Sequence, residues 1–257
     1  MSTRNNPFVW YELVTGNTDR AVRFYCDLYG WEAVDSGQTA MQYTLLKQDG
    51  RGVGGIFQIP SGDLGQGMKP GWMGYIAADV DTDTPRVVAA GGKVHIPPSD
   101  IPGVGRFAGV ADPHGAVFVL FTPNGEEEPP TPVPAGTPGH IGWHELHAGD
   151  GEEAFGFYSK LFGWTKAEAM DMGPNGVYQI FAIDGVPCGG MMTKMPQTPA
   201  PFWQYYVNVD GLDAAIARVQ KGGGQIFMGP HEVPGGSWIA NGMDPEGVIF
   251  AMVSPTR

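Results

Sequence analysis

Two short segments place an indole ring and a carboxylate at the same spacing. Trp10 precedes Glu12 by two positions, and Trp143 precedes Glu145 by two positions. Residues two apart on a β-strand point to one face, so each Trp would stand beside its Glu. A carboxylate beside an aromatic ring could orient a polar or cationic group, and burial would raise its pKa toward the range of a general acid or base. Glu12 and Glu145 are therefore the candidate catalytic residues.

A purely structural role for these carboxylates is the competing interpretation. Each Trp would then fill the interior of its domain, and each Glu would bond to a backbone amide or to an arginine such as Arg106. The repetition of Trp-x-Glu would reflect descent from one ancestral domain and nothing more.

The strand face that carries Trp and Glu could also line a ligand pocket. Loops 102–110 and 234–242 would cover two such pockets. Ser237 in the second loop stands in the place that Arg106 takes in the first. The two pockets should therefore differ in ligand preference. The candidate ligand-binding residues are the facing pairs Trp10 with Trp72 and Trp143 with Trp203, together with Tyr75, Arg106, Tyr206 and Ser237.

Both Trp-x-Glu segments belong to an internal repeat that covers most of the chain. The dipeptide Phe24-Tyr25 recurs as Phe157-Tyr158, and the Asp-Pro-x-Gly that begins at Asp112 recurs at Asp244. Gly-Trp, Gly-Gly and Trp-x-x-Tyr recur between these landmarks in the same order. A repeat that keeps its order and spacing indicates a duplicated domain.

A proline- and glutamate-rich segment separates the two copies. Its sequence, PNGEEEPPTPVPAGTP, has no apolar period and predicts an extended, semi-rigid linker. We predict a first domain at about 5–123, a linker at 124–137 and a second domain at 138–257.

Each copy contains strand and helix patterns that would position the candidate residues. Residues 9–13 predict a strand, and the apolar residues from Ala21 to Leu28 predict a helix that Asn17 or Thr18 caps and Gly30 ends. A second helix is predicted near 85–90, with Pro85 in its first turn. Further strands are predicted at 43–46, 53–59, 72–77, 93–96, 107–112 and 116–121. The pattern is strand, helix and three strands, twice in each copy.

This ordered set of motifs resembles the vicinal oxygen chelate superfamily, which includes glyoxalase I, bleomycin-resistance proteins and extradiol dioxygenases. The Trp-x-Glu-Leu opening is most similar to the tandem glyoxalase-like "hydroxylase" or 27-kDa-antigen-type subgroup. The resemblance implies an α+β fold of two tandem domains. Each domain would pair two βαβββ units into an eight-stranded, open-barrel cup with its helices outside.

Catalytic members of that superfamily hold a divalent metal in the cup, but this chain departs from their ligand pattern. The resemblance implies a His, a second ligand on the fifth strand and a Glu near the end of each copy. The corresponding positions here are Trp10, Trp72 and Val119 in the first copy and Trp143, Trp203 (or Gln204) and Ala251 in the second. Indole offers only a donor, so it cannot replace imidazole. No cofactor is expected, and a divalent metal on unusual ligands is kept as an alternative.

The segment His144-Glu145-Leu146-His147 is where such an unusual site could form. Strand alternation places His144 on the face opposite Glu145, whereas His147 lies on the same face as Glu145. A metal site on Glu145 and His147 therefore stays open. Cys26 and Cys188 fit no zinc spacing and are predicted to be buried or incidental thiols, with a reactive Cys188 as the alternative.

The composition and net charge of the chain limit the classes of partner that it is expected to bind. The formal net charge of −12 would repel nucleic acid and anionic lipid, and no segment has the roughly 20 apolar residues of a membrane span. The N-terminal sequence MSTRNNPF lacks an apolar signal core, so a cytoplasmic location is expected. We expect a small-molecule ligand and a monomer, with the tandem domains as an internal pseudo-dimer, or a weak homodimer.

Two functions follow from these observations. The first is a metal-free protein that binds a small organic molecule in aromatic cups. The second is a glyoxalase-like lyase or isomerase, or an oxygenase, which would use unusual metal ligands or metal-free acid–base catalysis by Glu12 or Glu145. The sequence does not decide whether the protein is an enzyme.

Overall fold

A computed structural model describes residues 6–38, 42–62, 67–124 and 133–257. The strands of the first repeat are β1 Phe8–Thr15, β2 Glu32–Asp35, β3 Tyr43–Gln48, β4 Arg51–Gln58, β5 Gly71–Ala77, β6 Lys93–Ile101, β7 Gly105–Ala111 and β8 Val117–Pro123. The strands of the second repeat are β9 Ile141–Ala148, β10 Thr165–Asp171, β11 Val177–Ile183, β12 Val186–Thr193, β13 Phe202–Asn208, β14 Gln225–Glu232, β15 Trp238–Met243 and β16 Ile249–Ser254. The helices are α1 Thr18–Tyr29, α2 Val80–Ala89, α3 Gly151–Phe162 and α4 Leu212–Lys221, with a short 3-10 helix at Gly173–Asn175.

Each repeat supplies one eight-stranded sheet. The strand orders are β2-β3-β4-β1-β5-β8-β7-β6 and β10-β11-β12-β9-β13-β16-β15-β14. Pairs β1–β4, β5–β8, β9–β12 and β13–β16 are parallel, and the meander strands on either side are antiparallel. The predicted α+β fold with one eight-stranded sheet from each repeat is confirmed. Part of the predicted linker, residues 125–132, lies outside the described residues.

The predicted ends of α1 are correct, whereas α2 is present near its predicted place but does not begin at Pro85. The Asn17 side chain caps α1 by accepting from the Arg20 amide, and Gly30 ends it in the left-handed conformation. Helix α2 begins at Val80, five residues before Pro85, so Pro85 lies inside the helix and not in its first turn. Asp79 caps the helix, because its side chain accepts a hydrogen bond from the Thr82 amide. This cap, and not Pro85, therefore marks where the helix begins.

The chain divides into two compact units that each take halves of both repeats. The first unit comprises Met1–Trp10, Gly74–Thr131 and His144–Trp203, and the second comprises Tyr11–Met73, Pro132–Trp143 and Gln204–Arg257. The first unit therefore joins α2 of the first repeat with α3 of the second. The second unit joins α1 with α4. The predicted domain bounds at 5–123 and 138–257 follow the repeats and not these units.

A tyrosine hydroxyl connects the two repeats within the second unit. Tyr25 on α1 donates to Asp244 at 3.1 Å, and the Trp72 indole donates to the Tyr25 oxygen at 3.2 Å. Asp244 also accepts from the amides of Glu246 and Val248. Burial raises the pKa of the Asp244 carboxyl and of the Tyr25 hydroxyl.

The first unit contains an equivalent connection between the two repeats. Tyr158 on α3 donates to Asp112 at 3.4 Å, and the Trp203 indole donates to the Tyr158 oxygen at 3.0 Å. The Phe-Tyr motif of each repeat thus bonds to the Asp-Pro-x-Gly motif of the other repeat. No helix among the described residues is long and apolar enough to cross a membrane.

Candidate functional site

Glu12 lies on β1 and is held by a tyrosine from β3. The Tyr43 hydroxyl donates to Glu12 Oε1 at 2.6 Å, and Glu12 is only 6% exposed. The Tyr43 ring reaches Glu12 across Gly55 on β4, which is the register partner of Glu12. A Cβ at Gly55 would collide with this ring. The second glycine of the Gly-Gly motif is therefore required to bring the phenol to the carboxylate.

The second repeat builds the same arrangement around Glu145. The Tyr178 hydroxyl donates to Glu145 Oε2 at 3.0 Å. Gly190 pairs in register with Glu145, and a Cβ at Gly190 would collide with the Tyr178 ring. The duplicated unit of this site is thus a carboxylate, a phenol that donates to it and a glycine that makes room for the phenol.

A histidine distinguishes the second repeat from the first. His147 Nε2 lies 3.0 Å from Glu145 Oε1, and the two side chains keep 16% and 14% of their surface exposed. Phe202 stacks on the imidazole with ring centroids 4.6 Å apart and planes 13° apart. Val14 occupies the position of His147 in the first repeat. Among the described residues, the pair formed by the Trp-x-Glu carboxylate and a histidine two residues later therefore occurs in the second repeat and not in the first.

This pair has the composition of an acid–base site. A carboxylate next to an imidazole can orient the ring and stabilise a positive charge that forms on it during proton transfer. The stacked Phe202 fixes the plane of the imidazole, and the Tyr178 hydroxyl fixes the carboxylate. Both side chains remain partly exposed.

The structure places Trp72 and Trp203 away from the two carboxylates. Trp203 packs against Tyr158 on α3, and its neighbour Phe202 takes the strand face that meets His147. Trp72 packs against Tyr25 and borders an apolar cavity of about 20 Å³ in the second unit. A cavity of that size has room for about one water. Neither indole forms a wall beside a glutamate.

The other predicted ligand-binding residues occupy varied surroundings. Arg106 pairs with Asp81 and Asp100, both at 2.9 Å, and among the described residues these two aspartates, not Glu12, hold its guanidinium. The remaining residues are the half-buried Trp10 and Trp143, the half-buried loop residue Ser237 and the buried Tyr75 and Tyr206. Tyr75 packs edge-on against Phe121 with ring centroids 6.0 Å apart.

His144 lies on the face opposite Glu145, as strand alternation predicts. Its ring stacks on Phe8 with centroids 4.3 Å apart, and its Nδ1 lies 2.8 Å from the Cys188 carbonyl oxygen. Burial lowers the pKa of His144 to about 4, so the ring is neutral at pH 7 and Nδ1 donates to the carbonyl. Burial raises the pKa of the Cys188 thiol to about 12, so this cysteine stays protonated and unreactive at neutral pH.

Because His144 is buried as a neutral ring, we expect the folded protein to lose stability in acid. The unfolded chain takes up a proton near pH 6.5, whereas the folded chain resists protonation down to about pH 4. The stabilisation is therefore complete above pH 6.5 and is lost as the pH falls through this window, by about 3 kcal/mol at about 1.4 kcal/mol per pH unit. The raised pKa of Asp244 acts in the opposite direction.

His144→Phe isolates this contribution because it keeps an aromatic ring against Phe8. Urea unfolding between pH 4 and 7 should show a steeper loss of stability on acidification for wild type than for the variant. At pH 7 the variant should itself be less stable, since the Cys188 carbonyl loses its donor. Parallel pH profiles for the two proteins would contradict the assignment.

Tyr43, Tyr178 and Phe202 are not among the predicted site residues, and His147 was predicted only as a candidate metal ligand. A signal for the tyrosines was present in the repeat, because Tyr43 and Tyr178 are separated by the same interval as Gly55 and Gly190. Phe202 carried no comparable signal, because the first repeat has Gly71 in the equivalent place.

The described residues do not fit a divalent metal of the usual kind. Among them, no group of three or more His, Cys, Asp or Glu side chains could hold a metal ion. Glu145 and His147 supply two donors, whereas protein metal sites of the catalytic type use three or more. No chemical step can be derived through a metal from these residues.

A family model matches both repeats, and similar curated proteins cover nearly the whole chain. The model described as "Glyoxalase/Bleomycin resistance protein/Dioxygenase superfamily" matches residues 8–120 and 138–252. The chain is 32% identical over 251 residues to "Putative glyoxylase CFP32" of Mycobacterium tuberculosis, covering 96% of this chain and 94% of the relative. It is 33% identical over 259 residues to the anthracycline biosynthesis protein DauV of Streptomyces sp., covering 95% and 91%.

Similar solved structures share the fold at low sequence identity. The Mn(II)-bound glyoxalase from Novosphingobium aromaticivorans has a TM-score of 0.65 at 17% identity, covering 100% of this chain and 84% of that one. The 2,2',3-trihydroxybiphenyl 1,2-dioxygenase from Sphingomonas wittichii has a TM-score of 0.66 at 14% identity, covering 98% and 91%.

Proposed function

Because this chain belongs to the glyoxalase/bleomycin resistance protein/dioxygenase superfamily, we propose that it binds a small organic molecule beside Glu145 and His147 and transfers a proton on it without a metal. The observation that carries the proposal is the 3.0 Å contact between Glu145 and His147. This contact occurs in one repeat only, although the carboxylate and its phenol occur in both. An imidazole added to one of two duplicated sites favours a chemical role for that site.

The proposed reaction class is an isomerisation or elimination that begins next to a carbonyl group. The proton leaves the substrate carbon and is taken up by the imidazole of His147, which becomes an imidazolium. The Glu145 carboxylate stabilises that charge and keeps the ring oriented. The same proton is then returned to a neighbouring atom, or to the leaving group, so the step consumes no oxidant or reductant.

Tyr178 and Phe202 have supporting roles in this proposal. The Tyr178 hydroxyl holds Glu145 Oε2, so that Oε1 remains directed at His147. Phe202 covers one face of the imidazole and excludes water from it. Hydrogen bonds in such a partly dry site are stronger than in bulk water.

Ligand binding is the first test. The probe set contains homoprotocatechuate, 4-hydroxymandelate and an anthracycline, which are compounds or classes named for similar proteins. Thermal-shift and calorimetric titrations should identify a probe that binds wild type. The variant His147→Val, which places the valine of the first repeat in the second, should bind that probe at least about tenfold more weakly. Equal binding by wild type and His147→Val would remove the support for this site.

Proton transfer is the second test. The protein is incubated in D₂O with hydroxyacetone or 4-hydroxymandelate. The hydrogen on the carbon next to the carbonyl or carboxylate group should be replaced by deuterium, and proton NMR follows the loss of its signal. Exchange should depend on enzyme concentration and should be lost in His147→Val. Binding without exchange would leave the protein as a small-molecule binder and would exclude the catalytic part of the proposal.

A further inference from the structure

An exposed turn between β10 and β11 carries the dipeptide Asn175-Gly176. Asn175 is the last residue of the short 3-10 helix Gly173–Asn175, and Gly176 follows it with a φ of 83°. The Asn175 side chain is exposed, and Met172 and Val177 on either side of the turn keep 45% and 55% of their surface. The Asn175 side-chain amide is therefore in contact with solvent.

An asparagine followed by a glycine can lose its side-chain amide without an enzyme. The backbone nitrogen of the glycine gives its proton to a base in the solvent and attacks Cγ of the asparagine. A bond from this nitrogen to Cγ forms, the bond from Cγ to Nδ2 breaks, and ammonia leaves. Water then opens the five-membered succinimide at either carbonyl group and yields aspartate or isoaspartate. Glycine favours the attack because it has no Cβ, and asparagine is accordingly a thermolabile residue.

Only local hydrogen bonds hold the attacking nitrogen in this turn. The Gly176 amide donates to the Gly173 carbonyl at 3.0 Å, and the Met172 amide donates to the Gly176 carbonyl at 2.8 Å. Hydrogen bonds of 3-10 turns have poorer geometry than those of α-helices, and exposed loops open at little cost in free energy. The nitrogen can therefore be released for attack while the sheet stays folded.

A second Asn-Gly pair in the same chain provides the comparison. Asn241 is 8% exposed and lies on β15, which pairs with β14 on one side and with β16 on the other. Attack by the Gly242 nitrogen would require this strand to leave both neighbours. The same dipeptide thus occurs once in an exposed turn and once inside a sheet. The remaining Asn-Gly pair of the sequence begins at Asn124, and its glycine lies outside the described residues.

We propose that Asn175 is a site of spontaneous deamidation in the folded protein, with a succinimide to Gly176 as the intermediate. The reaction consumes one water, releases one ammonia and adds one negative charge to the turn. Its isoaspartate product also lengthens the main chain by one carbon, three residues before Tyr178. The Tyr178 hydroxyl donates to Glu145, so the modified turn adjoins the strand that orients this carboxylate. That consequence rests on the proposed function, whereas the modification itself does not.

Peptide mapping by mass spectrometry tests the proposal on the whole chain. The protein is incubated in mildly alkaline buffer, once folded and once in guanidinium chloride, and digestion at mildly acidic pH stops further conversion. Without the fold, Asn175 and Asn241 should lose their amides at similar rates. In the folded protein Asn175 should react within about tenfold of its unfolded rate, and Asn241 at least about a hundredfold below its own, since opening is easy in loops and costly in core strands. Equal protection of the two asparagines would overturn the proposal.

Asn175→Gln is the matched control, because it keeps the side-chain amide but adds one methylene group. The attack would then have to close a six-membered ring, which forms far more slowly. Both proteins carry Asn124→Gln, so that the third Asn-Gly pair adds no charge. Ion-exchange chromatography should show an acidic form that accumulates with Asn175 present and is largely absent in Asn175→Gln. Equal accumulation would overturn the assignment. Neither measurement uses a ligand, so the result is independent of proton transfer at Glu145 and His147.

Discussion

Replacing Glu145 with Gln is expected to slow deuterium exchange by about 10²- to 10⁴-fold, the range for loss of a positioned acid or base. Glutamine keeps the size of the side chain and an oxygen that can accept from Tyr178. It removes the negative charge that stabilises an imidazolium on His147, 3.0 Å away. The rate of exchange should therefore fall much more than the melting temperature.

Glu12→Gln is the matched control, because the first repeat has the same carboxylate and phenol without the histidine. This variant should retain exchange at nearly the wild-type rate, although the 2.6 Å bond from Tyr43 is altered. Equal losses in Glu12→Gln and Glu145→Gln would show that the His147 contact is not what makes the site active. Retention of exchange in Glu145→Gln would contradict the assigned role of the carboxylate.

Tyr178→Phe separates orientation from charge. This variant keeps the carboxylate and the imidazole but removes the hydroxyl that holds Glu145 Oε2 at 3.0 Å. The rate of exchange should fall less than in Glu145→Gln, because the negative charge beside His147 is kept.

The elements with strong local signals were predictable from the sequence. The apolar stripe of α1, its cap at Asn17 and its end at Gly30 all depend on residues that are close together in the sequence. The bond between Tyr25 and Asp244 was not predictable, because its partners are far apart in the chain and belong to different repeats. Local patterns carry no information on which copy of a motif a side chain will meet.

The site was predictable where strand alternation could be counted from a fixed start. Counting in this way places Trp10 and Glu12 on one face of β1. It places Glu145 and His147 on one face of β9 for the same reason. The face of β13 was not determined, since a shift of one residue exchanges Trp203 for Phe202 or Gln204. The structure assigns Trp203 to the helix side, where it bonds to Tyr158, and Phe202 to the side of His147.

The duplicated Gly-Gly motif has a steric explanation that sequence reading could not supply. Gly55 and Gly190 are needed because a phenol ring crosses each of them on its way to a glutamate. Recognising this requires the register of three strands at once, which is set by pairing between distant segments.

Trp164→Ala is expected to lower the free energy of unfolding by about 3–5 kcal/mol, the range for removing a large buried aromatic side chain. Trp164 is 1% exposed and lies between Phe181 and Tyr158, with ring planes 10° and 9° apart. Its indole also donates to the Asn6 carbonyl at 3.0 Å. The substitution removes the packing and leaves that carbonyl without its donor.

Trp31 in the second unit provides the comparison. It is 6% exposed, donates to the Gly139 carbonyl at 2.8 Å and borders the cavity of about 20 Å³. Because its surroundings are already less completely filled, Trp31→Ala should cost less than Trp164→Ala. Trp164→Phe should fall between wild type and Trp164→Ala, since a ring remains but the donor is lost. Urea unfolding at pH 7 measures all three, and an equal cost for Trp31→Ala and Trp164→Ala would show that the cavity does not weaken the packing around Trp31.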